Sequence, residues 1–183
     1  MQKGFVFAAA TALLIAAPAL SHAQGAPTRS AERPATSATD RSFLTEAAQG
    51  DAAEVKTGTL AEKNGGSAQA KDFGKMLVTD HTKAGQQVKA TAQQVGATVE
   101  EQPNDEQQKD YDKLSKLKGA AFDKEFARMS VEDHQKDIAK FQKEADAKDG
   151  PVSDLAQQQL PVLKKHLETA QSLQKQQASA ESL

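Results

Sequence analysis

The chain has 183 residues, no cysteine, no tryptophan and a formal net charge of −2 at pH 7. Without cysteine, disulfides and thiol chemistry are excluded, so stability must come from packing. Because acidic and basic residues nearly balance and are interspersed, we expect neither nucleic acid nor an anionic membrane surface as the main partner.

The first 23 residues have the pattern of a secretory signal peptide. Lys3 precedes an apolar run over 5–19, and small residues at 21 and 23 suit cleavage after Ala23. The run is too short for a membrane-spanning helix, so we expect no transmembrane segment in the mature chain. We predict an exported, periplasmic protein of 183 − 23 = 160 residues, peripheral to the outer membrane if it is membrane-associated.

Three further segments follow the signal peptide. Residues 24–39 are rich in Ala, Ser, Thr and Pro without an apolar period, which predicts a disordered linker. Apolar residues then recur at helical spacing over 40–176, which predicts the folded domain. Residues 177–183 are expected to form a disordered tail.

The first helix of this domain is predicted to begin with Asp40 as its N-cap and to end near Lys63. The glycines at 65–66 offer a left-handed C-cap. Gly50 and Gly58, eight residues apart on the inner side, predict close approach of a neighbouring helix.

Three more long helices are predicted. The second is capped by Ser67 and ends at Gly96, the third covers about 120–148, and the last begins near Pro151. Pro161 lies inside the last helix, where a kink or two abutting helices is expected. The apolar stripes include Phe73, Leu77 and Val88, then Phe122, Phe126, Met129, Ile138 and Phe141, then Leu155, Leu163, Leu167 and Leu173.

The connections between helices predict the topology. Short turns at 64–66 and 149–151 predict two antiparallel hairpins, whereas residues 96–119 form a connection of about 24 residues that contains a short amphipathic helix. Such a segment can span the length of a long helix at about 1.5 Å per helical residue. The prediction is an all-α, ferritin-like four-helix bundle (up-down-down-up) with a short extra helix in the crossover, which carries Tyr111, Leu114 and Leu117.

A short internal sequence repeat supports this topology. Residues 73–81 and 126–134 share the pattern F-x-[K/R]-M-x-V-x-D-H. This repeat places His81 and His134 at equivalent positions of two parallel helices.

A polar layer is predicted in the middle of the bundle. His81, His134 and His166 each occupy the apolar face of a separate long helix, and Asp51 and Glu54 occupy that of the fourth. One hypothesis is a transition-metal site for Zn, Cu, Fe or Ni, with Glu54 (or Asp51) and the three histidines as ligands. The alternative is a hydrogen-bonded polar core in which the carboxylates bond the histidines and no cofactor is held.

Two more aspartates precede histidines. Asp80 and Asp133 are candidates for outer acceptors that orient the rings, or for solvated side chains at the edge of the apolar arc.

The sequence contains no motif of nucleophilic catalysis, and Gly65-Gly66 is better explained as a turn than as a phosphate loop. We therefore predict that the protein is not an enzyme. The expected role is binding, structural support or stress protection in the cell envelope, with a protein partner there. The chain is expected to be a monomer or a weak homo-oligomer.

An ordered set of residues resembles a widespread bacterial family of exported, ferritin-like helical proteins, classed as a domain of unknown function and often labelled as outer-membrane or exported proteins. The set covers about residues 40–174 and comprises Asp40-x-x-Phe43-Leu44, Glu54-Val55, Leu60-Ala61, Asp80-His81, Gly119-x-x-Phe122-Asp123, His134 and Leu160-Pro161-x-Leu163-x-x-His166-Leu167.

The resemblance implies a fold and a compartment, because the family has no agreed activity. Ferritin-type di-iron centres use Glu-x-x-His pairs on two helices. Here Val78, Val131 and Leu163 stand three residues before the histidines, so a ferroxidase-type di-iron centre is not expected.

Overall fold

A computed structural model describes residues 36–148 and 150–180, which contain five helices. The predicted signal peptide and most of the predicted linker lie outside the described residues. Within the described part the fold is all-α, as predicted. The helices are α1 (Ala38–Asn64), α2 (Ala68–Val95), α3 (Asp105–Leu114), α4 (Gly119–Ala147) and α5 (Pro151–Ala180).

The ends of α1 differ from the prediction. The N-cap is Ser37 rather than Asp40, because the Ser37 hydroxyl oxygen accepts a hydrogen bond from the Asp40 amide at 2.9 Å. Asp40 lies instead in the first turn, where its charge complements the helix dipole. Gly65 has φ −59°, so the predicted left-handed C-cap is wrong at this position.

The glycines after α1 allow a close backbone contact with the start of α4. A Cβ on Gly66 would lie 2.7 Å from the carbonyl carbon of Gly119. The buried Asp123 carboxylate accepts hydrogen bonds from the amides of Gly66 and Ser67, both at 2.8 Å. The α1–α2 turn is thus docked on the start of α4, and α2 and α4 begin at the same end of the molecule.

A second close contact joins α1 to α2. A Cβ on Gly58 would lie 2.6 Å from the carbonyl oxygen of Gly74, and a Cβ on Gly74 would lie 2.6 Å from that of Gly58. The close approach predicted at Gly58 is therefore confirmed, with Gly74 as its counterpart. A Cβ on Gly50 would meet nothing within 4 Å, so Gly50 has no such role.

Equivalent residues of the repeat at 73–81 and 126–134 lie side by side in the structure. The rings of Phe73 and Phe126 are 5.4 Å apart, and those of His81 and His134 are 5.8 Å apart, measured between centroids. The equivalent placement of the two histidines is confirmed.

The crossover contains the short helix that was predicted. Asn104 and Gln107 form a capping box at the start of α3, and Leu114, at its end, is buried. Leu117 lies beyond the helix but packs against the core. The side-chain nitrogen Nδ2 of Asn64 donates hydrogen bonds to the carbonyl oxygens of Ser115 and Leu117 at 3.4 and 3.0 Å. These bonds connect the end of α1 to the end of the crossover.

The last helix is longer than expected. Pro161 lies within a single helix, α5, rather than between two abutting ones. α5 also continues to Ala180, so residues 177–180 are helical rather than part of a tail. None of the helices in the described part of the chain has the length and apolar character needed to cross a membrane.

The core consists of two apolar clusters, one toward each end of the long helices. In every long helix a buried polar residue separates the segments that contribute to the two clusters. The first cluster includes Phe43, Leu44, Val88, Phe141, Leu155 and Leu163, and the second includes Leu60, Phe73, Leu77, Phe122, Phe126 and Leu173.

Candidate metal centre

Three histidines from three helices converge between the two clusters. His81 on α2, His134 on α4 and His166 on α5 are 5%, 1% and 0% exposed. Their ring centroids are 5.2–5.8 Å apart. One ring nitrogen from each residue lies within 4.8 Å of the others. The structure therefore brings together all three histidines that the sequence singled out.

Hydrogen bonds to the outer ring nitrogens determine the tautomers of two of these rings. His134 Nδ1 lies 2.9 Å from the carbonyl oxygen of Ser130, and His166 Nε2 lies 2.9 Å from Asp80 Oδ2. Because a carbonyl or carboxylate oxygen only accepts, both nitrogens must carry protons. In the neutral rings the other nitrogens, His134 Nε2 and His166 Nδ1, then have lone pairs.

These two inner nitrogens are 3.3 Å apart. Two lone pairs that face each other at this distance repel, unless a proton or a metal cation lies between them. The contact is therefore a hydrogen bond only if one of the two rings is doubly protonated and positively charged.

The surroundings of these rings oppose that charge. Burial is the main cause that lowers the pKa of His134 to about 3, and positive charge on His81 and His166 contributes to the same shift. The pKa of His166 is also lowered, chiefly by burial, although its hydrogen bond to Asp80 acts in the opposite direction. A metal ion resolves the conflict between the two lone pairs without protonating either ring.

His81 differs from the other two histidines. Its Nδ1 lies 2.8 Å from Asp51 Oδ1, whereas Nε2 has no hydrogen-bond partner within the described part of the chain. Burial lowers the pKa of His81, but the hydrogen bond to Asp51 and the charge of Glu54 outweigh it, and the net pKa is raised. Asp51 Oδ2 is likewise buried, with no hydrogen-bond partner among the described residues.

The predicted carboxylate ligands lie at the outer side of the rings. Asp51 holds the outer nitrogen of His81, and Glu54 Oε1 lies 3.9 Å from the Nδ1 of His134 that Ser130 already binds. Glu54 is buried, which raises its pKa to about 7, and the Thr57 hydroxyl lies 3.4 Å from its Oε2. In this geometry Glu54 stands beside the cluster of ligand nitrogens rather than in it.

The two aspartates that precede histidines have different contacts. Asp80 bonds a histidine, but it is His166 of another helix rather than the adjacent His81. Asp133 Oδ1 lies 3.5 Å from Lys136 Nζ in a partly exposed ion pair. The outer-acceptor hypothesis thus fits Asp80, and the edge-of-helix hypothesis fits Asp133.

Two groups that affect the histidine cluster were not predicted from the sequence, the Ser130 carbonyl and the Asp137 carboxyl. The Ser130 carbonyl is one helical turn before His134, so the i, i+4 spacing could have indicated it. Asp137 is one turn after His134, and burial raises its pKa to about 6. Its charge raises the pKa of Glu54 on α1 and of His81 on α2. This effect depends on how α4 packs against both helices, which periodicity alone does not show.

Cavities adjoin the centre on two sides. A cavity of about 170 Å³ lies among α1, α3 and α4 and is bordered by Glu54, Asp133 and Asp137. Another, of about 120 Å³, lies between α2 and α5, and both His81 and His166 line it.

A family model described as a domain of unknown function (DUF4142) matches residues 25–173. The chain belongs to the DUF4142 family. This confirms the resemblance to an uncharacterised helical family. No curated protein matches the chain.

This DUF4142 chain is also similar to a solved structure, described as a crystal structure of a DUF305 fragment from Deinococcus radiodurans. The two share 16% sequence identity with a TM-score of 0.68, over 78% of this chain and 99% of that chain. At this identity the similarity shows a common fold and nothing about function.

Proposed function

We propose that this DUF4142 protein binds one transition-metal ion through His81, His134 and His166. The observation that carries the proposal is the 3.3 Å contact between inner nitrogens of two rings whose outer nitrogens already carry the protons. Three neutral imidazoles suit zinc, copper, nickel or iron.

The spacing of these nitrogens supports a metal site. Metal–nitrogen bonds of about 2.0–2.1 Å in a tetrahedron place two ligand nitrogens about 3.3 Å apart. The observed distance between His134 Nε2 and His166 Nδ1 is 3.3 Å. The cluster with His81 is looser, at up to 4.8 Å, so a bound ion would draw that ring inward.

The outer hydrogen bonds support the same proposal. Asp51, the Ser130 carbonyl and Asp80 each hold the outer nitrogen of one histidine. Acceptors of this kind orient metal-ligating histidines and increase their basicity. All three rings therefore have the orienting contacts typical of metal ligands.

The wider role that we propose is non-enzymatic. The signal-peptide pattern favours an exported envelope protein. The polar layer favours metal binding or protection against stress, and so does the ferritin-like arrangement in which α2 and α4 begin at the same end.

A second candidate is a purely structural protein whose histidine layer is a hydrogen-bonded core. The Asp51–His81 pair favours it, because the raised pKa of His81 would allow a buried ion pair without metal.

Elemental analysis of residues 24–183, purified from a periplasmic extract without chelator, separates the two candidates. We expect about one transition-metal ion per chain, and its loss in the His81→Ala/His134→Ala double variant. Leu77→Ala/Val131→Ala is the matched control, because it removes core side chains one turn from the same histidines and keeps all three ligands. Metal retained by the histidine variant, or absent from the wild type even after addition of Zn, Cu, Fe or Ni, would contradict the proposal.

A further inference from the structure

The cavity between α2 and α5 borders two of the three proposed ligands. Its volume of about 120 Å³ leaves room for several water molecules or a small ligand. His81, His166, Asp51 and Asp80 line it, together with Ala84. It therefore combines ligand side chains with room for a small molecule.

Three histidines leave one position of a tetrahedral ion without a protein ligand. The carboxylates nearest to the rings already have other contacts, since Asp51 Oδ1 bonds His81 and Asp80 Oδ2 bonds His166. Glu54 lies on the outer side of His134. In the described part of the chain, the cluster of ligand atoms consists of the three histidines.

Two buried polar atoms of the lining residues have no hydrogen-bond partner among the described residues: Asp51 Oδ2 and His81 Nε2. Their residues are only 7% and 5% exposed. Unsatisfied buried groups of this kind are costly. A metal ion on His81 and a hydrogen-bond donor in the cavity would satisfy both.

Two other cavities near the histidines fit an open position less well. Among the described residues that border the 170 Å³ cavity there is no histidine. A third cavity touches His81 but has a volume of only about 20 Å³, which is too small for more than about one water molecule.

We infer that the fourth coordination position faces the cavity between α2 and α5, and that it takes a small neutral nitrogen or oxygen donor, with water as the resting occupant. This inference rests on the proposed metal site. The cavity is lined by two acidic side chains, Asp51 and Asp80, and one basic side chain, Lys83, which favours a neutral over an anionic fourth ligand. The site thus binds an exogenous ligand as well as a metal.

Cobalt-substituted protein tests the inference, because the visible spectrum of Co(II) reports its coordination. We expect titration with imidazole to give a saturable spectral change. Ala84→Leu, which fills the cavity, should weaken imidazole binding by at least tenfold while cobalt stoichiometry stays unchanged. Ala53→Leu is the matched control, because Ala53 lines the 170 Å³ cavity instead, and it should bind imidazole like the wild type.

The outcomes distinguish the two proposals. Failure of the wild type to retain cobalt, zinc, copper, iron or nickel after gel filtration overturns the metal site and the open position with it. Retained cobalt with a spectrum that imidazole does not change overturns the open position alone. Equal weakening by Ala84→Leu and Ala53→Leu overturns the assignment to this cavity. Ala84→Val, a smaller filler, replaces Ala84→Leu if circular dichroism shows that the leucine variant does not fold.

Discussion

At the scale of single residues, the three histidines have the same side chain but pKa values that are shifted in different directions. Burial dominates at His134 and His166 and lowers both pKa values, whereas the acidic surroundings of His81 raise its pKa. We therefore expect acidification to destabilise the protein through His134 and His166 but not through His81. Buried Glu54, whose pKa is raised to about 7, acts in the opposite direction, because its protonation in the folded state relieves a buried charge.

The pH dependence of stability is therefore best measured one residue at a time. The pKa of His134 is about 3 in the folded protein, below the ordinary value of 6.5, so the stability it contributes is present above pH 6.5 and is lost as pH falls toward 3. In chelator-treated protein, we expect the wild type to lose about 1.4 kcal/mol per pH unit below about pH 6 relative to His134→Gln. Urea unfolding of both proteins at pH 7.5, 6.0 and 5.0 measures this difference.

His81→Gln provides the opposite sign as a control. Because the folded pKa of His81 is raised, the stability it contributes is present below pH 6.5 and is lost as pH rises through the folded pKa. The wild type should therefore gain stability relative to His81→Gln on acidification. The same slope for both histidines would show that their environments are alike, which the structure contradicts.

At the scale of secondary-structure elements, the α1–α2 hairpin depends on the absence of side chains at its closest contact. Gly58 and Gly74 face each other so closely that either Cβ would lie 2.6 Å from a backbone oxygen. Backbone atoms cannot rotate away as side chains can, so the two helices must separate to admit even a methyl group. The helices of this pair then lose part of the packing that positions Asp51 against His81.

Two alanine substitutions on the same helix should have opposite effects on stability. Gly58→Ala should destabilise the protein by about 1–3 kcal/mol, because the added methyl group overpacks the contact. Gly50→Ala should stabilise it by up to about 1 kcal/mol, because alanine favours the helix and its Cβ meets nothing within 4 Å. Chemical denaturation of both variants measures the pair. A neutral Gly58→Ala would show that the helices separate without cost.

At the scale of the whole molecule, the histidine layer joins three helices in the middle of a core that is apolar on either side. His81, His134 and His166 come from α2, α4 and α5, and Asp51 adds α1 through its bond to His81. A bound ion would therefore link the two halves of the chain at the level where apolar packing is interrupted.

Chelation should therefore affect global stability. With free metal at 100 times the dissociation constant, binding to the folded state adds about 2.7 kcal/mol to the free energy of unfolding. We expect excess chelator to lower the melting temperature of the metal-loaded wild type by several degrees and to leave His166→Ala unchanged. Differential scanning calorimetry with and without chelator measures both. An equal decrease in both proteins would place the metal elsewhere.

Much of the fold could be predicted from the sequence because helical periodicity and turn residues are local signals. Such signals predict the N-cap at Ser67, the end of the second long helix at Gly96 and the short crossover helix. The start of α1 was missed because Ser37 and Asp40 are both good caps, and the choice depends on how far the helix extends. Asp123 was recognised only as part of a family pattern, since its bonds to Gly66 and Ser67 join residues more than fifty positions apart.

The sequence by itself determined that this is an all-helical protein with a histidine in the middle of each of three long helices, because the spacing of apolar residues shows which face of a helix is buried. Only the tertiary structure decided which nitrogens meet and which acceptors hold them. Asp80 bonds His166 rather than its neighbour His81, and Glu54 lies outside the cluster of nitrogens. Hydrogen bonds and metal coordination depend on differences of a few tenths of an ångström in the distances between side chains on different helices. No helical period specifies those distances.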